Sequence, residues 1–150
     1  MTEDVWLTIT GEQISPDGEK ERNRTKCRAK YKKEGGSHVL LFEELCDGSR
    51  TPTANRLVID REHIVIHKTG MVVSDLVLRG GHRHECLYQT PYGGIPMAIE
   101  TSHVACLETA RGIHARARYR LALDAQYAAE CTVTIRIEAW KEQDGKEQRG

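Results

Sequence analysis

A period of two runs through almost the whole of this 150-residue chain and constrains its fold more than any other feature. Apolar residues recur at every second position in Val5, Leu7 and Ile9, and again in Ile113, Ala115, Ala117, Tyr119, Leu121 and Leu123. Successive side chains of an extended strand point to opposite faces, so this alternation gives each segment one wet and one dry side. Glycines punctuate the pattern at Asp17-Gly18, Gly35-Gly36, Asp47-Gly48, Gly70, Gly80-Gly81, Gly93-Gly94 and Gly112. They supply the positive φ that tight hairpins need. Strands are expected near residues 4–13, 22–33, 37–45, 53–60, 62–69, 71–79, 82–90, 94–104, 111–124 and 127–140. Ten strands with short turns predict an all-β domain, a closed or nearly closed antiparallel barrel, with a sandwich as the alternative. The stretch from Met97 to Ala110 fits the alternation least, and its end, Ala105 to Ala110, could form a helical turn.

The length suits one domain, expected to span residues 1–140, with the wholly polar segment from Lys141 to Gly150 as a mobile tail. Twenty-two Lys and Arg balance twenty-two Asp and Glu, which argues against a wholesale polyanion binder but leaves local patches open. No stretch is apolar enough to span a membrane, and the acidic start does not read as a secretory signal. Five cysteines, Cys27, Cys46, Cys86, Cys106 and Cys131, are odd in number and contain no C-x-x-C pair. That disfavours a disulfide framework or structural zinc and favours a reducing, cytoplasmic setting.

The run Tyr88-Gln89-Thr90-Pro91-Tyr92-Gly93-Gly94-Ile95-Pro96-Met97 resembles the Y-x-T-P-x-G turn of the bacterial YwiB-like family of unknown function. Phe42-Glu43-Glu44 is similar to that family's aromatic followed by glutamates, Lys68-Thr69-Gly70 to its R-x-G turn, and Arg118-Tyr119-Arg120-Leu121 to its Y-x-L strand. The resemblance covers about Val5 to Trp140. It implies a calycin-like β-barrel, similar in architecture to lipocalins and avidins, with no established activity. Lys68 stands where the family usually has arginine, and Phe42 where tyrosine is common, so a polar site shared by the family would be altered here.

Small barrels either fill their interior or leave room for one ligand. Parity puts His38, Leu40, Phe42 and Glu44 on one face of the third strand, and Ile64, Ile66 and Lys68 on one face of the fifth. Strand direction then gathers Glu44, Lys68, Tyr88, Tyr119 and Asn55 at one mouth above an apolar floor. Such a group could orient a small anionic or amphipathic ligand. Equally, Glu44 and Lys68 could pair at the rim while the tyrosines fill the core.

A second surface stands out on the outside. Arg22, Arg24, Lys26, Arg28, Lys30 and Lys32 occupy every second position of the second strand, and His114, Arg116, Arg118 and Arg120 do the same on the ninth. If strand one pairs with strand ten, only those two separate the stripes, presenting Thr8, Thr10, Thr132, Thr134 and Arg136 between them. Trp6 and Trp140 would meet at the lower end. A nucleic acid or other polyanion could bind such a surface, or it could simply be a solvated, aggregation-resistant face. The acidic residues Asp60, Glu62, Asp75, Glu85 and Glu100 fall to the opposite wall, which also permits a homodimer joining basic to acidic walls.

Other signals are weak. His82, His84 and Cys86 share a strand face, but without a fourth donor they do not make a metal site. No G-x-S-x-G elbow, P-loop or H-E-x-x-H motif occurs, so no catalytic residue and no cofactor is assigned.

Overall fold

The computed structural model describes residues 3–44, 52–70 and 72–139, and forms a nearly closed antiparallel barrel of ten strands. These are β1 (Glu3–Ile14), β2 (Lys20–Glu34), β3 (Ser37–Glu44), β4 (Thr53–Ile59), β5 (His63–Thr69), β6 (Ser74–Arg79), β7 (Arg83–Thr90), β8 (Gly93–Thr109), β9 (Gly112–Leu123) and β10 (Gln126–Ala139). Round the sheet they run β6-β5-β4-β3-β2-β1-β10-β9-β8-β7, so two meanders are joined through the β1–β10 ladder. Trp140, the segment from Lys141 to Gly150, Cys46 and the Asp47-Gly48 turn lie outside the described residues.

The barrel's seam falls between β6 and β7. At its upper end, Val73 and Gln89 exchange both backbone hydrogen bonds, at 3.0 and 2.9 Å. At its lower end, the turn after β6 bonds to β8 instead: Gly81 N donates to Thr101 O at 2.8 Å, and Thr101 N to His82 O at 3.1 Å. Between these points the imidazole of His84 bridges the gap to the carbonyl of Asp75 at 2.9 Å.

Parity holds along the strands and builds the core. Leu7, Leu40, Leu57, Ile59, Ile64, Leu78, Ile99, Ala117 and Ile135 are fully buried inside, contributed by both meanders. The four described cysteines are free, and Cys131 is buried among them as a small apolar group.

The expected helical turn at Ala105–Ala110 does not form. β8 continues to Thr109, paired with β9 from Ala105↔Arg116 to Thr109↔Gly112. A bulge between Thr101 and His103 adds one residue and moves the inward set from Met97 and Ile99 to Val104 and Cys106. Leu107 thereby points outward, 63% exposed. Local alternation cannot reveal a residue that leaves the count.

The β8–β9 hairpin closes on Gly112, whose φ of +153° is accompanied by close approach of the Ile137 carbonyl on β10. Any Cβ there would collide with that carbonyl oxygen, a backbone atom that cannot swing aside. We expect Gly112→Ala to lower stability by about 2–4 kcal/mol, through strain and a displaced ladder, as read by urea unfolding. An unchanged midpoint would show that the hairpin tolerates a side chain here.

Candidate functional site

The upper end of the barrel interior collects polar side chains from four consecutive strands. Register sets Glu44 opposite Thr53, Asn55 opposite Lys68, and Lys68 opposite Ser74, all on the inward face. The Lys68 ammonium contacts a Glu44 carboxylate oxygen, and Asn55 Nδ2 donates to the same oxygen at 3.1 Å. A second, longer bond runs from Asn55 Nδ2 to the Thr53 carbonyl at 3.3 Å. Burial by itself would raise the Glu44 carboxyl, but the Lys68 ammonium and the Asn55 amide together hold it below the usual carboxylate range.

Thr53 and Asn55 are almost wholly buried, at 1% and 2% exposure. Yet among the described residues Thr53 Oγ1 and Asn55 Oδ1 have no hydrogen-bond partner. Buried polar atoms are nearly always paired, so two orphans side by side mark an unfilled requirement. Tyr88 joins from the other side of the seam, because the Val73–Gln89 bridge places its neighbour Tyr88 next to Ser74, both facing inward.

Tyr119 does not join this group. Its row is Cys131–Tyr119–Thr101, leading to the turn after β6, whereas the row through Lys68, Ser74 and Tyr88 reaches β8 at Ile95. Ile95 and Thr101 lie about 20 Å apart along the strand. Tyr119 instead lies opposite Cys131 in the ladder, and burial pushes its phenol far above the ordinary range. The stagger accumulated around the sheet, invisible to strand-by-strand reading, separates it from Glu44 and Lys68.

On the outside, both basic stripes project as expected. Register crosses the wall in rows: Lys26, Thr8, Arg136 and His114; then Arg24, Thr10, Thr134 and Arg116; then Arg22, Glu12, Thr132 and Arg118. Charge is neutralised at the ends of the face. Asp4 takes Lys30 at 2.6 Å and Arg28 at 3.4 Å, Glu34 takes Lys32 at 2.7 Å, Glu12 approaches Arg22 at 4.0 Å, and Glu130 takes Arg120 at 3.2 Å. In the middle, among the described residues, Arg24, Arg116, Arg118 and Arg136 make no ion pair, and Lys26 lies over the Trp6 ring at 4.9 Å. The expected Trp6–Trp140 meeting falls outside the described residues.

The acidic wall carries its own counter-charges. Arg83 pairs with Glu85 at 3.1 Å and Glu100 at 2.8 Å, His67 with Asp75, His63 with Asp60 at 2.8 Å, and Arg79 with Glu62 at 4.0 Å. His82 and His84 are bonded to backbone carbonyls, and among the described residues no three His, Cys, Asp or Glu side chains are grouped to hold a metal.

One further cluster forms around His38, whose inward parity was legible but whose partners were not. At the lower end of the interior, His38 is 2% exposed, with its Nδ1 2.7 Å from the Tyr31 hydroxyl and its Nε2 2.5 Å from Glu108 Oε1. A histidine at an inward position was a signal in itself, since such a ring requires partners. Glu108 could not be found because it lies beyond the bulge.

These features define a nearly closed, ten-stranded barrel of the YwiB type, with polar clusters at both ends of its interior. A structure described as the ywiB protein from Bacillus subtilis matches with a TM-score of 0.81 and 13% identity, over 93% of this chain and 94% of that one. The chain belongs to the family described as Domain of unknown function (DUF1934), whose model matches residues 7–135. No curated protein matches it. At 13% identity the likeness shows the fold alone, so any function must be argued from the residues above.

Because the folded Glu44 carboxyl titrates below its unfolded value, its contribution to stability is present above the ordinary carboxylate range and is lost as pH falls through the folded value. Lys68→Met should therefore raise the Glu44 titration midpoint seen by NMR. It should also open a stability gap to the wild type that is widest near neutrality and closes in acid. A gap independent of pH would mean that Lys68 acts through packing alone.

Proposed function

We propose that the outer face formed by β2, β1, β10 and β9 binds the phosphate backbone of a nucleic acid. The observation that carries this reading is the unpaired centre of that face. Glutamates and an aspartate quench the stripe at its ends, while among the described residues Arg24, Arg116, Arg118 and Arg136 are left without carboxylates around Thr10, Thr132 and Thr134. Four guanidiniums held on rigid strands present fixed donor forks to phosphate oxygens, and the threonine hydroxyls add neutral donors between them. Trp6 is covered by Lys26, so recognition rests on the backbone and not on stacked bases.

Retention of single-stranded RNA is expected to fall with salt at a logarithmic slope of about −3, the value for four or five phosphate contacts. Each of Arg24→Glu, Arg116→Glu and Arg118→Glu should weaken binding and flatten the slope by about 0.7. Arg79→Gln, on the other wall, should not. Binding that ignores salt, or that Arg79→Gln weakens equally, would remove this reading.

A second reading is favoured by the orphaned oxygens of Thr53 and Asn55: a small polar ligand held at the upper mouth by Glu44, Lys68, Asn55 and Tyr88. An acceptor such as Asn55 Oδ1 needs an N–H or O–H, and Lys68 retains protons for an acceptor, so the ligand would carry both kinds of group. Native mass spectrometry of protein purified from its own cells should then show a carried small molecule that Asn55→Leu loses. Bare protein in both preparations would speak against it.

A further inference from the structure

β7 pairs with β8 only as far as Arg83↔Glu100. Beyond that point β8 runs on to Thr109 with one edge bonded to β9, while among the described residues its other edge has no ladder partner. β3 and β8 are five places apart in the strand order, but below the end of β7 the β8 strand comes beside β6 and β5. Glu108 on β8 nevertheless reaches His38 on β3 at 2.5 Å, and His38 reaches Tyr31 on β2 at 2.7 Å.

Donors and acceptors in this chain allow one arrangement for a neutral imidazole. A carboxylate only accepts, so Nε2 carries the proton and donates it to Glu108, leaving Nδ1 to accept from the Tyr31 hydroxyl. Burial, with Glu108 and Glu3 nearby, pushes the Tyr31 phenol up and keeps it a donor. Lys33 adds a distant ammonium at 4.0 Å from the same Glu108 oxygen. Outside the contact lies an open depression of about 980 Å³ whose lining residues include His38, Glu108, Ser37, Arg61 and Cys106, the last with its side chain packed against the core. Asp60, which also borders it, is engaged by His63.

We propose that β8 beyond its bulge is a strap across the lower end of the barrel, fastened by Glu108 to the His38–Tyr31 pair, and that unfastening it opens the interior beside Cys106. The fastening suits a reversible closure for a physical reason. A strand ladder shares its strength among many bonds, whereas here a half-exposed carboxylate on one strand holds a buried ring on another. Glu108 can leave for water, but His38 cannot, so the strap has a strong preference for the closed position and a defined way of leaving it.

Cys106 reports the state of the strap. Iodoacetamide labelling of the folded protein, resolved by peptide mass spectrometry, measures its exposure, with buried Cys131 as the control for global unfolding. Burial, Glu108 and Asp60 all raise the Cys106 thiol, so removing the Glu108 charge speeds labelling whether or not the strap opens. Two variants separate these effects. Glu108→Gln removes the charge but keeps an oxygen for Nε2–H, whereas Glu108→Ala removes both. The expected result is Cys106 labelling about tenfold faster in Glu108→Ala than in Glu108→Gln, with Cys131 unchanged. Equal rates in the two variants would overturn the proposal. Should Glu108→Ala unfold, so that Cys131 reacts as well, the wild type decides: nitrogen NMR must find the His38 proton on Nε2, and a proton on Nδ1 instead would overturn the fastening.

Discussion

β1 is held on both sides along nearly its whole length, by β2 from Glu3 to Ile14 and by β10 from Val5 to Ile14. This double ladder joins the two meanders, and every inward or outward assignment in the protein descends from it. Leu7 lies between Cys27 and Ile137 inside, and Thr8 lies between Lys26 and Arg136 outside. A slip of one residue on either side would exchange those sets and drive arginines into the core, where an unpaired charge is far costlier than any lost strand contact. The apolar interior and the basic outer face are therefore two consequences of one register.

The interior is less uniform than its apolar middle suggests. At the upper end Glu44 is kept ionised against burial by an ammonium and an amide, yet Thr53 and Asn55 each retain an unanswered oxygen. At the lower end His38 has both nitrogens satisfied by residues on different strands. Polar groups in a low-dielectric core are stable only when partnered, so the His38 cluster is complete, while Thr53, Asn55 and, at the lower end of the seam, Thr101 each keep an oxygen without a partner among the described residues. The outer face shows the same contrast between quenched ends and an open centre.

Much of this was legible from residue order because it depends on parity. The even-numbered cations of β2 and the threonines between the stripes face outward as alternation requires, and Glu44 meets Lys68 because both sit at inward positions near their strand ends. Three features were not legible. Tyr119 has the right parity but the wrong row, since its place relative to Lys68 sums the staggers of four strand pairs. The segment from Ala105 to Ala110 looked helical because, past the bulge at Ser102, the apolar Leu107 faces outward while Glu108 reaches His38. Glu108 lies past the same bulge, which hid its meeting with His38.

Residue order by itself determined that the chain is all-β, where its turns fall, and which side chains share a face. These follow from local covalent geometry, which sends neighbouring side chains of an extended backbone to opposite sides whatever surrounds them. The tertiary structure alone decided where the seam lies, how far each strand is staggered, and hence which residues meet across the barrel. Those are properties of the closed sheet as a whole, set by registers that add around its circumference and by a bulge that no single strand reveals.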